Sequence, residues 1–151
     1  MIRGRDMTRA LLLASALILA ACNQEPAAPA IEISDVWARA VAPGQKTGAI
    51  YLTIANKGDA PDALMSAKAS VAPMTMIHRT TSANGIVSMD MVKSVAIPAG
   101  GQAVLAPNGT HLMMTGLAVP LSPGDRFFVD FTFEKSGHTT ATGKVVAADA
   151  R

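Results

Sequence analysis

From Ile31 onward, apolar side chains recur at every second position. Ile50, Leu52 and Ile54 alternate with Tyr51, Thr53 and Ala55. Phe127, Val129, Phe131 and Phe133 alternate with Phe128, Asp130, Thr132 and Glu134. Successive side chains of a strand point to opposite faces, so this period predicts half-buried strands. Shorter stretches of the same kind cover 76–80, 86–92, 102–105, 111–115 and 139–146. Residues 63–70 fit a short helix or a strand equally well.

Turn formers separate these stretches. Pro43-Gly44, Pro61-Asp62, Asn84-Gly85, Asn108-Gly109, Pro123-Gly124 and Ser136-Gly137 fall at strand-sized intervals. Asn84-Gly85, between two short strands, is a hairpin signal. About seven to nine strands in one domain predict an all-β Greek-key sandwich or small barrel.

The first 21 residues follow another pattern. Arg3, Arg5 and Arg9 precede an apolar run over 11–21, which is too short to span a bilayer. This is the layout of a secretory signal. The segment Leu19-Ala20-Ala21-Cys22 resembles the bacterial lipobox. That resemblance implies diacylglycerol on Cys22, which becomes the first mature residue, and the absence of Asp after it implies the outer membrane. Residues 22–30, rich in Ala and Pro, read as a tether to a domain over 31–151.

Charge narrows the partners. Without Arg3, Arg5, Arg9 and Asp6, the 13 basic and 11 acidic residues fall to 10 of each. A neutral chain with no basic run lacks the footprint of a nucleic-acid binder. The single cysteine excludes an internal disulfide framework, and it lies outside the predicted domain.

Candidate chemistry rests on histidine and methionine. His78, His111 and His138 are the three histidines. Met74 and Met76 precede His78, Met89 and Met91 follow the Asn84-Gly85 turn, and Met113 and Met114 follow His111, while Met65 stands apart. Residues two apart on a strand share a face, which groups Met76 with His78, Met89 with Met91, and His111 with Met113. Across the hairpin, His78 is expected to approach Met89. Imidazole and thioether are soft, neutral ligands that select Cu(I) over hard cations. Acid would weaken such a site, because protons compete for the imidazoles. Each residue alone has a plainer reading: methionine fills cores, and histidines often sit hydrogen-bonded at surfaces. His138 reads as a solvent-exposed turn residue.

The spacing of four of these residues resembles the PCu(A)C periplasmic copper chaperones. Ten residues separate His78 from Met89, 21 separate Met89 from His111, and Leu112 separates His111 from Met113. Trp37-Ala38-Arg39, Gly48-Ala49-Ile50-Tyr51-Leu52, His111-Leu112-Met113-Met114 and 117–124 are similar too. The resemblance implies a cupredoxin-like Greek-key β-sandwich. It implies one Cu(I) on His78, Met89, His111 and Met113, with delivery to a copper-accepting oxidase subunit or a Sco-type thiol protein during cytochrome c oxidase assembly. The chain departs from some members in carrying Arg79 directly after the first histidine. It also lacks a His/Met-rich tail, so a second, Cu(II) site is not expected. Met76, Met91 and Met114 are secondary candidates.

Three other readings compete. A blue-copper carrier needs a thiolate beside two histidines, which Cys22 cannot supply from the lipobox. An enzyme is not expected, since neither GxSxG nor HExxH occurs. A copper-buffering or resistance protein would use the same four residues, and an immunoglobulin-like structural lipoprotein would use none of them.

Overall fold

The structure is a computed structural model that describes residues 27–150. The signal segment and Cys22 lie outside the described residues. Ten strands follow in order: β1 (Ile31–Arg39), β2 (Thr47–Asn56), β3 (Asp62–Ala69), β4 (Met74–Ala83), β5 (Ile86–Met91), β6 (Val95–Ile97), β7 (Gln102–Leu105), β8 (Thr110–Thr115), β9 (Arg126–Phe133) and β10 (Gly137–Val146). They form one continuous sheet in the order β5-β4-β8-β2-β1-β10-β9-β3-β6, with β7 also paired to β2. The sheet rolls over so that β3 meets β4 and β6 meets β7. The result is an all-β, cupredoxin-like Greek-key β-sandwich: the pattern implied the all-β sandwich and the family resemblance its cupredoxin-like class.

Alternation builds the core. Phe127, Val129, Phe131 and Phe133 of β9 face inward against Ile50, Leu52 and Ile54 of β2 and Leu112 and Met114 of β8, all buried. Phe128, on the other face of β9, is exposed. Gly143, paired with Phe127 on β10, has no room for a Cβ against that ring.

Local details depart from the sequence reading. The 63–70 stretch is strand, since β9 supplies its backbone partners. The three-residue β6 is too short to show a period in sequence. His138 is exposed, but it stands on β10 rather than in the turn, and its Nδ1 lies 3.1 Å from the Thr132 hydroxyl. The end of the segment read as a tether is fastened down. Buried Asn56 accepts hydrogen bonds from Ala30 N and Gly58 N and donates to Ala60 O, while Lys57 N donates to Ala30 O.

A second buried polar group, Asp62, clamps the turn between β9 and β10. Its carboxylate accepts from the backbone N–H groups of Ala63, Lys135 and Ser136 and from the Ser136 hydroxyl. Burial raises its pKa, but these four donors favour the anion more strongly, and the net shift is downward. A depressed carboxylate stabilises the fold above its unfolded-state pKa, and that contribution is lost as pH falls through the lower folded-state value. Asp62→Asn is therefore expected to cost about 1.5–3 kcal/mol near neutral pH and to flatten the acid limb of stability. Denaturant titrations of both forms from pH 7 to pH 2 check this.

Candidate metal centre

The register of three strands assembles the centre. β4 pairs with β8 so that His78 faces His111 and Met76 faces Met113. β4 pairs with β5 so that His78 faces Met91 and Thr80 faces Met89. The intervening residues Ile77, Leu112 and Met114 point into the core. The histidines and the odd-numbered methionines of β5 and β8 therefore share the opposite, outward face with Met76 of β4. Asn84 and Gly85 both adopt positive φ and close the hairpin between β4 and β5.

The two imidazoles are neighbours, with ring centroids 6.1 Å apart. His111 is only 4 % exposed. Its Nδ1 lies 3.0 Å from the Gly109 carbonyl oxygen, which can only accept, so Nδ1 carries the hydrogen and Nε2 keeps its lone pair. Asn108, at positive φ, turns the chain so that this carbonyl reaches the ring. A hydrogen bond to the second ring nitrogen is how metal-binding histidines are oriented. The Nδ1 of His78 is buried with no hydrogen-bond partner. A buried nitrogen left in that state costs about 1–3 kcal/mol, which a bound cation would recover.

An open cleft of about 420 Å³ adjoins His111, lined by Ala49, Tyr51, Val87, Met89 and Met113 among others. Alternation puts Tyr51 on the face of β2 opposite Ile50, Leu52 and Ile54, but does not say what covers that face. Tyr51 is buried beneath the centre, its ring 6.3 Å from His111 and 4.5 Å from Trp37. A β-bulge explains the pairing: β1 uses three steps from Ser34 to Trp37 where β2 uses two from Thr53 to Tyr51. Asp35, at positive φ, absorbs the extra residue and sets Trp37 opposite Tyr51. Arg39 lies 5.9 Å from the Trp37 ring. Periodicity did not mark Trp37 or Tyr51 as part of the centre, because bulges leave no compositional trace.

The structure brings His78, His111 and Met113 onto one face as the spacing suggested. Met89 lines the cleft with the latter two, although its backbone partner is Thr80 and not His78. Met114 is buried in the core and does not reach this face, and Met65 sits on β3 of the other layer. Among the described residues, no three of His, Cys, Asp and Glu gather in one place. The donor set is two neutral imidazoles with thioethers around them. That set fits a soft monovalent ion and suits hard or anionic-ligand-seeking ions poorly.

The fold and this face define a β-sandwich of the PCu(A)C type. The chain belongs to the family described as LpqE-like lipoproteins, whose sequence model matches residues 31–145. A protein of Leifsonia xyli subsp. xyli named as a lipoprotein, Lxx21020, is 33 % identical over 125 residues, covering 81 % of this chain and 74 % of its own. The Cu(I)-bound DR1885 of Deinococcus radiodurans is 30 % identical with a TM-score of 0.59, over 84 % of this chain and 83 % of its own. The copper-bound PCuAC domain of PmoF2 shares the fold with a TM-score of 0.66 at 23 % identity, over 78 % of this chain and 92 % of its own.

The Gly109 contact predicts the tautomer of His111. Long-range proton–nitrogen correlation spectra of the metal-free protein at neutral pH are expected to show Nδ1 protonated and Nε2 bare. The reverse pattern would remove the preorganisation argued above.

Proposed function

We propose that this protein is an extracytoplasmic Cu(I) chaperone, anchored through lipid on Cys22, that carries one ion on His78, Met89, His111 and Met113. The observation that carries this reading is the pair of imidazoles 6.1 Å apart, one oriented by a carbonyl and the other with a buried, unpartnered nitrogen, beside thioethers on a single face. The copper-bound relatives support it.

The ligand chemistry suits carriage. Thioethers select Cu(I) and cannot be oxidised to disulfides, so the site survives where thiol carriers are lost. Four neutral ligands leave the ion with its full positive charge. A thiolate acceptor, being anionic, then draws it away. Delivery to an oxidase copper subunit or a Sco-type thiol protein, for cytochrome c oxidase assembly in the periplasm, is the role we assign. The anchor would hold the carrier at the outer membrane.

The test is an anaerobic Cu(I) titration of the full chain against a chromophoric chelator. Cys22→Ser is included so that no free thiol competes. The chain is expected to bind a single Cu(I) and to surrender it to a dithiol acceptor. His78→Ala and Met113→Ala are each expected to weaken binding by at least the 10–100-fold, roughly, that loss of a supporting contact costs. A parent that cannot compete with a weak chelator would sink the copper reading. A parent that binds but never releases to dithiols would turn delivery into storage.

A further inference from the structure

The face that holds the two histidines carries more thioethers than one ion needs. Met76, Met89, Met91 and Met113 all belong to it. Met76 is paired with Met113 of β8 and is half-buried. Met91 differs from the others in two respects. It is the direct backbone partner of His78, which is in turn the direct partner of His111, so the three form one row across the strands. It is also the most exposed of the four, at 69 % against 49 % for Met89 on the same edge strand β5.

Directly opposed residues have Cβ atoms about 4.5–5.5 Å apart, whereas diagonal neighbours stand about 7–8 Å apart. Met91 is opposed to His78, and Met89, opposed to Thr80, is its diagonal neighbour. Met89 lines the cleft with His111 and Met113, while Met91 does not line it and is exposed. The Nδ1 of His78, the residue at the centre of the row, is buried without a hydrogen-bond partner.

We propose that Met91 is a further Cu(I) ligand, the thioether through which the ion leaves the site. The inference rests on the copper reading above and assigns its exit. A closed-shell ion imposes no coordination geometry, so one thioether can replace another without a ligand-field cost. In the step, the Cu–S bond to Met89 breaks as a Cu–S bond to Met91 forms. Copper stays Cu(I), both sulfurs are neutral, and no proton moves. The ion is then held by His78, His111, Met113 and, at the exposed sheet edge, Met91. There an acceptor thiolate, its proton already lost to solvent, displaces the Met91 sulfur.

The test uses the full chain with Cys22→Ser, labelled with carbon-13 in the methionine methyl groups. One equivalent of Cu(I) is expected to shift the Met91 methyl signal together with those of Met89 and Met113. Met91→Leu is expected to keep the single bound ion while slowing its transfer to dithiothreitol roughly tenfold, the low end of what supporting groups contribute at metal sites. Met91 is exposed, so the variant is expected to fold as the parent does, which its unchanged amide spectrum checks. A Met91 signal that does not move, or a transfer rate equal to the parent's, overturns the proposal. His111→Ala separates the two levels. If it loses copper while Met91→Leu is silent, only the exit is wrong. If it keeps the ion, the site reading falls and the exit with it.

Discussion

Everything at the metal-binding face depends on the pairing of β4 with β8. One set of side chains on these strands, Ile77, Leu112 and Met114, is buried in the core. Each contributes about 1.5–3 kcal/mol by leaving water. The other set, His78, His111, Met76 and Met113, is fixed outward by the same alternation. A slip of one residue would exchange the two sets, turning the imidazoles into the apolar core and leucine out of it. The hydrophobic core therefore specifies the positions of the polar donors, and no donor has to contribute to holding the strands together. This division lets the site keep groups such as the unpartnered His78 nitrogen, which destabilise the metal-free fold.

The surroundings of His111 show how the sandwich orients a candidate ligand without charge. Its orientation comes from a backbone carbonyl presented by the Asn108-Gly109 turn, and its flank is closed by Tyr51, which leans on Trp37. A carboxylate in the place of that carbonyl would make the site more anionic and more welcoming to harder, divalent ions. The choice of carbonyl and aromatic neighbours keeps the site neutral. The bulge at Asp35 is what brings Trp37 into register. A distortion in β1, two strands away from β8, thus shapes the metal face.

Much of this was legible in the sequence because a strand's period is short and strict. The run from Phe127 to Phe133 showed which face of β9 is buried, and the Asn84-Gly85 turn located the hairpin. The spacing of His78, Met89, His111 and Met113 singled out residues of three strands that the structure pairs as neighbours, with Met89 opposite Thr80 and not His78. What stayed hidden depends on pairing rather than period. The Asn84-Gly85 turn, as a two-residue loop, pairs Ala83 with Ile86 and so His78 with Met91, two residues away from the expected approach to Met89. What no pattern in a single chain gives is that β8 lies beside β4. Tyr51 alternates away from Ile50, Leu52 and Ile54 and is buried all the same, since alternation reports a face and not what covers it. His138 looked like a turn residue because Gly137 precedes it, yet that glycine already begins β10.

The β4–β5 hairpin carries an apparent contradiction that the chemistry resolves. Every residue of β5 is exposed, including Ile86, Val87, Met89 and Met91, and the strand has an open edge. Such edges invite unwanted pairing, and proteins commonly shorten or charge them. Here the edge is six residues long and carries one charge, Asp90. Its register is held by the tight turn and by a hydrogen bond of 2.8 Å between the Thr81 and Ser88 hydroxyls, not by a core. A site placed on the central strands would be easier to protect but closed to an acceptor. Placing one wall of the cleft on an edge hairpin keeps His111 shielded while leaving thioethers within reach of solvent. If the protein gives up its ion as proposed, that exposure serves the transfer, and the aggregation hazard of the edge is the physical consequence.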